Sequence, residues 1–101
     1  MFPIKEFEKR FREILLTLDE IGADAQDESM DELNATFEDA LFVIECIGEN
    51  DEDWREAFED ALDEFDDLCA EYDRFAALIP ELTEQAARLR MLVTMARSNL
   101  E

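Results

Sequence analysis

Residues 54–79 read WREAFEDALDEFDDLCAEYDRFAALI, and the spacing of their apolar side chains indicates the fold. The apolar positions in this stretch are Trp54, Phe58, Ala61, Phe65, Leu68, Tyr72, Phe75 and Ile79. Steps of three and four residues place them on one face of an α-helix. Such alternating steps are typical of helices that pack nearly parallel or antiparallel to one another. We therefore predict one long helix that belongs to a bundle.

Three further segments carry the same spacing. Their apolar positions are Ile4, Phe7, Phe11, Ile14, Leu18 and Ile21; Met30, Leu33, Phe37, Ala40, Ile44 and Ile47; and Leu82, Ala86, Leu89, Val93, Ala96 and Leu100. No segment alternates with the period of two that a β-strand would show. The sequence therefore predicts an all-α bundle of about four helices, at approximately 4–21, 29–47, 51–78 and 81–99, in one domain of residues 1–101.

The ends of these helices have recognisable capping residues. Pro3 suits the first turn of the first helix, and Gly22 suits its C-terminal cap. Ser29 and Glu32 have the spacing of a capping box at the start of the second helix. Asn50 is a candidate N-cap for the third helix.

The connection between the third and fourth helices has two interpretations. Pro80 removes a backbone donor and clashes with the preceding turn, so it either breaks the helix with a bend or kinks one long helix. A break would let the fourth helix fold back onto the bundle.

Two segments are more apolar than one helix face requires. They are residues 41–44 (LFVI) and residues 89–95 (LRMLVTM). A helix that is apolar nearly all round must be covered. The alternatives are a second buried face within the bundle and a homodimer surface.

The charges are strongly segregated along the chain, whose net charge is −20. Between Glu13 and Ala87 there are 26 acidic residues and two bases, Arg55 and Arg74, so this segment sums to −24 and each flank to +2. Like charges on one domain repel and weaken its compact state, so we expect the fold to use this field. We expect the flank bases to meet acids within the fold or across a dimer. The overall charge argues against direct binding to nucleic acid or to anionic membranes.

The predicted third helix concentrates the acids and is the candidate site for binding a partner. The site residues are Glu52, Asp53, Glu56, Glu59, Asp60, Asp63, Glu64, Asp66, Asp67, Glu71 and Asp73. On a helix these residues place one carboxylate about every 3 Å along the axis. This spacing is close to the 3.4 Å or so between phosphates along one DNA strand. Six of them form a continuous row, namely Asp53, Glu56, Asp60, Asp63, Asp67 and Glu71. Like-charge pairs at i,i+4 cost this helix about 1–3 kcal/mol in total, a noticeable share of a small domain's stability.

In size and charge pattern the chain resembles the small acidic inhibitors of phages and mobile elements that mimic DNA, of the anti-restriction and anti-CRISPR type. The resemblance rests on the −24 segment and the carboxylates of the third helix, and it includes no sequence motif. It implies a partner that is a basic nucleic-acid-binding protein, such as a nuclease or a CRISPR effector. We also expect a cytoplasmic protein. If a phage encodes it, the cytoplasm is that of the host cell.

Several classes of protein are disfavoured. The chain has no histidine, which removes His-based triads and the usual general base. Its acid-rich turns lack the spacing and the Gly of an EF-hand loop. No apolar run is long enough for a transmembrane helix, and the N-terminus lacks the features of a signal peptide. We therefore expect no enzyme, no cofactor and no built metal site. Cys46 and Cys69 lie too far apart along antiparallel helices for a disulfide and are interpreted as core residues.

Two other interpretations stay open. The protein could be a helical structural, adaptor or chaperone-like protein whose apolar surfaces around Phe42 and Met91 carry the affinity for a partner. It could also come from a high-salt cell, although the confinement of acids to the middle of the chain counts against that.

Overall fold

The computed structural model describes residues 4–47 and 53–100, which form four α-helices and contain no strand. The helices are α1 (Ile4–Ala25), α2 (Glu28–Cys46), α3 (Trp54–Ala76) and α4 (Glu81–Leu100). The predicted all-α bundle is confirmed.

The four helices form an antiparallel ring. Helices α1 and α3 each pack against α2 and α4, so α1 and α3 lie diagonally opposite one another. Ion pairs establish the directions, because Arg12 near the start of α1 meets Glu45 at the end of α2. Arg97 near the end of α4 likewise meets Asp63 in the first half of α3. The α2–α3 pair and the α1–α4 pair therefore present two opposite faces.

The core contains the apolar side chains that the helical spacing predicted to be buried. Every one of those predicted positions is buried or partly buried. The ring of Phe11 stacks on that of Phe65 across the bundle, with centroids 4.5 Å apart, and Phe37 packs beside them. Burying one such side chain contributes about 1.5–3 kcal/mol. A second buried set widens the core, namely Leu15, Leu41, Leu62, Cys69 and Leu92.

A chain of hydrogen bonds links three helices inside this core. The hydroxyl of Tyr72 in α3 donates to Oδ1 of Asn34 in α2 over 2.6 Å. Nδ2 of Asn34 donates to the backbone carbonyl of Leu18 in α1 over 3.2 Å. Both polar side chains are buried, and burial without partners would be costly.

Gly22 does not end α1, so that prediction is wrong. The helix continues to Ala25, and the left-handed backbone position falls on Gln26, whose φ is 54°. Gly22 is instead buried at the crossing with α2. A Cβ added there would lie 3.3 Å from Nδ2 of Asn34, so the glycine permits the close approach of the two helices.

The N-cap of α2 is Asp27 and not Ser29, so the predicted capping box is also wrong. Oδ1 of Asp27 accepts hydrogen bonds from the backbone N–H groups of Ser29 (2.9 Å) and Met30 (3.3 Å). The helix consequently begins at Glu28, and Ser29 lies in its first turn. The predicted cap at Asn50 lies outside the described residues.

Helix α3 is shorter than predicted at both ends. It begins at Trp54 and ends at Ala76, and the next helix begins at Glu81. Residues 77–80 therefore form a short connection, and α4 lies against α3 and α1 rather than projecting from the bundle.

Candidate functional site

The bundle has two opposite faces that differ in net charge, because the most acidic helices are neighbours. The sums are −6 for α2 and −7 for α3, but −2 for α1 and +1 for α4, counted within the helix bounds. The α2–α3 pair therefore carries −13 and the opposite α1–α4 pair carries −1. A field this one-sided orients the protein toward a positively charged surface.

Some of the predicted site residues pair with arginines of the neighbouring helix. Arg97 of α4 donates to Asp63 over 2.7 Å and also to Asp66. Arg90 of α4 pairs with Asp73. The hydrogen bonds from these carboxylates raise the pKa of both arginines, Asp63 acting most strongly on Arg97 and Asp73 on Arg90. Three of the eleven candidate carboxylates are thus used to join α3 to α4.

The remaining candidates keep their charge on the surface. Glu71 has a cation nearby, Arg74 on the same helix, at 3.4 Å. Another five are exposed and make no ion pair within the described residues, namely Glu56, Glu59, Asp60, Glu64 and Asp67. Asp53 is exposed just before α3, and Glu52 lies outside the described residues.

Two of these carboxylates, Glu64 and Asp67, border a shallow groove between α2 and α3. Its volume is about 540 Å³. The groove is lined by Leu33, Thr36, Asp39, Glu64, Asp67, Leu68 and Glu71. Spacing of four residues puts Glu56 and Asp60 on the same side of α3 as Glu64. We call Asp39, Glu56, Asp60, Glu64, Asp67 and Glu71 together the acidic face.

The continuous row predicted from spacing alone is therefore divided. Asp63 turns toward Arg97, whereas Asp60 and Asp67 on either side of it make no ion pair with any residue of 4–47 or 53–100. Sequence reasoning missed this division, because Arg97 lies 34 residues from Asp63. The available signal was the separation of Arg90 and Arg97 by seven residues, which places both on one side of α4.

The arginines of the basic flanks pair with acids inside the fold, which is one of the two alternatives predicted. Arg12 contacts Glu8 and Glu45, each at 3.1 Å. Arg10 pairs with Glu6, four residues before it, as Arg88 of α4 pairs with Glu84.

The two cysteines have different environments, and both thiols are free. Cys69 is buried as predicted, and burial raises its pKa to about 11. Cys46 is exposed, so its assignment to the core was wrong. Cys46 is the last residue of α2, and its side chain lies on the outer side of the helix.

Comparisons with protein-family models, with curated proteins and with solved structures found no match to this chain. Residues 4–47 and 53–100 contain no group of three or more Cys, Asp or Glu side chains placed to hold a metal ion. Among the described helices, none combines the length and apolar character that crossing a membrane would require.

Proposed function

We propose that this protein imitates nucleic acid and inhibits a larger protein or complex by occupying its basic DNA- or RNA-binding surface, in the manner of anti-CRISPR or anti-restriction inhibitors. The observation that carries the proposal is the charge of −13 on α2 and α3, opposite a nearly neutral α1–α4 face. A basic cleft draws its affinity for nucleic acid from phosphate contacts and counterion release. Carboxylates held on a helix can make the same contacts.

The spacing of the free carboxylates requires both helices for this role. Helix α3 has 23 residues and five unpaired carboxylates, or about one per 7 Å of helix. That is roughly half the density of phosphates along one DNA strand. Asp39 adds a carboxylate on the far side of the groove, where α2 carries no base. The proposed mimic is therefore the pair of helices and not α3 alone.

The fold supports rigid presentation of these charges. The apolar side of α3 is locked into the core by side chains such as Phe58, Phe65 and Tyr72, which are fully buried. The pairs that Arg97 and Arg90 make with Asp63, Asp66 and Asp73 hold the same helix against α4. Preorganised groups lose little conformational entropy on binding.

Displacement of DNA from candidate targets tests the proposal. Fluorescence anisotropy would follow a labelled DNA duplex bound to a purified restriction nuclease or a purified CRISPR effector while this protein is added. We expect displacement at low ionic strength. We expect the inhibition constant to rise by about tenfold or more when monovalent salt is increased from roughly 50 to 200 mM.

Two matched triple variants locate the binding surface. The first neutralises the acidic face (Asp60→Asn, Glu64→Gln, Asp67→Asn). The second neutralises the carboxylates that face α4 (Asp63→Asn, Asp66→Asn, Asp73→Asn). Both remove three negative charges, so long-range steering is weakened equally.

Only the first set is expected to raise the inhibition constant more than about tenfold, because only it removes direct contacts. Circular dichroism checks that the helices remain. Equal effects of the two sets would contradict the assignment to the acidic face, and unchanged inhibition by the first set would exclude the proposed mechanism.

A second candidate function is that of a helical adaptor or chaperone-like protein. It is favoured by Phe42 on α2 and Leu16 on α1, whose side chains are 62% and 61% exposed. The Arg12–Glu45 pair sets the register of α1 and α2 and places these two residues at similar heights. In that case Phe42→Asp would abolish association with a partner, salt would have little effect, and neutralising the acidic face would change nothing.

A further inference from the structure

A second groove lies on the opposite side of the molecule, between α1 and α4. Its volume is about 360 Å³. Its lining includes Arg10, Glu13, Arg88, Met91 and Met95. The side chains of Met91 and Met95 are 64% and 42% exposed. Methionine is flexible and polarisable and suits an apolar contact surface.

The distribution of charge on the α1–α4 face indicates which partner would bind to it. At one end of the face, residues 4–12 sum to +2 and residues 88–100 sum to +3. Arg12, Arg90 and Arg97 pair with acids of α2 and α3, which leaves Lys5, Lys9, Arg10 and Arg88 as the bases of this end. At the other end, residues 13–25 sum to −4 and residues 81–87 sum to −2. Because α1 and α4 are antiparallel, the start of α1 lies beside the end of α4. The two basic segments therefore lie at the same end of the face, and so do the two acidic segments. Arg90 and Arg97 of the basic end turn toward α3, whereas Arg88 lines the groove.

A two-fold axis perpendicular to the helices would place the basic end of one copy on the acidic end of the other. Such an isologous contact is complementary in charge. A contact through the α2–α3 face would instead oppose the acidic face of one copy with the acidic face of the other. A second copy of this chain therefore fits the α1–α4 face better than the α2–α3 face.

The size of the face is sufficient for such a contact. Helix α4 has 20 residues and α1 has 22, so each is about 30 Å long, and together they are about 20 Å wide. Their projected area of roughly 600 Å² is close to the 800 Å² or so that each partner buries in a standard interface.

We propose that the α1–α4 face is the interface of a two-fold symmetric homodimer. Met91 and Met95 of each copy pack into the groove of the other. The two acidic faces then point outward on opposite sides of the dimer. The proposal stands independently of the inhibitor function.

Light scattering coupled to size-exclusion chromatography tests the interface over a range of protein concentrations. We expect the full chain to have twice its monomer mass of 11.8 kDa at high micromolar concentration. Met91→Glu should return it to the monomer mass. Phe42→Glu is the matched control, since Phe42 has nearly the same exposure on another face.

A chain that stays monomeric at every concentration would overturn the proposal. A dimer broken by Phe42→Glu and kept by Met91→Glu would also overturn it, because the interface would then lie on α2. Met95→Glu repeats the test if Met91→Glu fails to fold.

Discussion

Replacing Tyr72 by Phe tests whether the hydrogen-bonded chain inside the core stabilises this fold. The substitution removes one hydroxyl and keeps the ring that packs beside Phe37. In the native protein this hydroxyl donates to Oδ1 of Asn34 over 2.6 Å, at a site with no exposed surface on Tyr72. After the substitution Oδ1 of Asn34 has no donor.

The expected cost follows from leaving a buried acceptor unpaired. A loss of this kind amounts to about 1–3 kcal/mol. A domain of this size has a total stability of about 5–15 kcal/mol, and each kcal/mol corresponds to a change in melting temperature of about 4–8 °C. We therefore expect Tyr72→Phe to lower the melting temperature by roughly 4–24 °C.

Urea unfolding followed by circular dichroism measures the effect. The midpoint should fall while the slope with urea stays constant, because the surface exposed on unfolding is unchanged. Adding Asn34→Leu to Tyr72→Phe should restore part of the stability, since both polar partners are then replaced by apolar groups. A loss below about 0.5 kcal/mol for Tyr72→Phe would refute the reasoning, because surface substitutions have effects of that size.

Three further predictions concern ionisable groups. Partial desolvation, followed by the charge of nearby acids such as Glu38, raises the pKa of Asp19 in the native state, so stability falls as pH rises above the ordinary value of 3.8. Asp19→Asn should therefore raise the melting temperature at neutral pH more than Glu20→Gln does at the neighbouring residue, and melting curves below pH 3.8 should show no difference. Burial also raises the pKa of Tyr72, the single tyrosine, so ultraviolet absorbance should show tyrosinate above about pH 10 only as the protein unfolds, and native ionisation near pH 10 would contradict this. With a thiol reagent at neutral pH, Cys46 should react at once and Cys69 only after denaturant is added, and two fast thiols would show that Cys69 is accessible.

The number and type of helices could be predicted because helical periodicity is a local property of the chain. Steps of three and four residues depend only on the rise and turn of the α-helix. Phe58, Phe65 and Tyr72 fall on the buried side of α3 for this reason alone. Their burial could therefore be predicted without knowing which residues they pack against.

Helix ends were predicted less well, because several residues near an end can cap it. Asp27 and Ser29 are both good N-caps, and the structure uses Asp27. Gly22 suits a C-cap in isolation, yet the contact with Asn34 in α2 makes it a packing position inside α1. A contact between helices decided the second case.

The sequence by itself determined that this is a four-helix protein with a strongly acidic middle and basic ends, since these features depend on composition and local spacing. Only the tertiary structure decided which acids remain available. It joined Asp63 to Arg97 across 34 residues, left Glu64 and Asp67 beside the α2–α3 groove, and brought the two basic ends together on the opposite side. The physical reason is that an ion pair forms between charges that are close in space, and folding brings together charges that are distant along the chain.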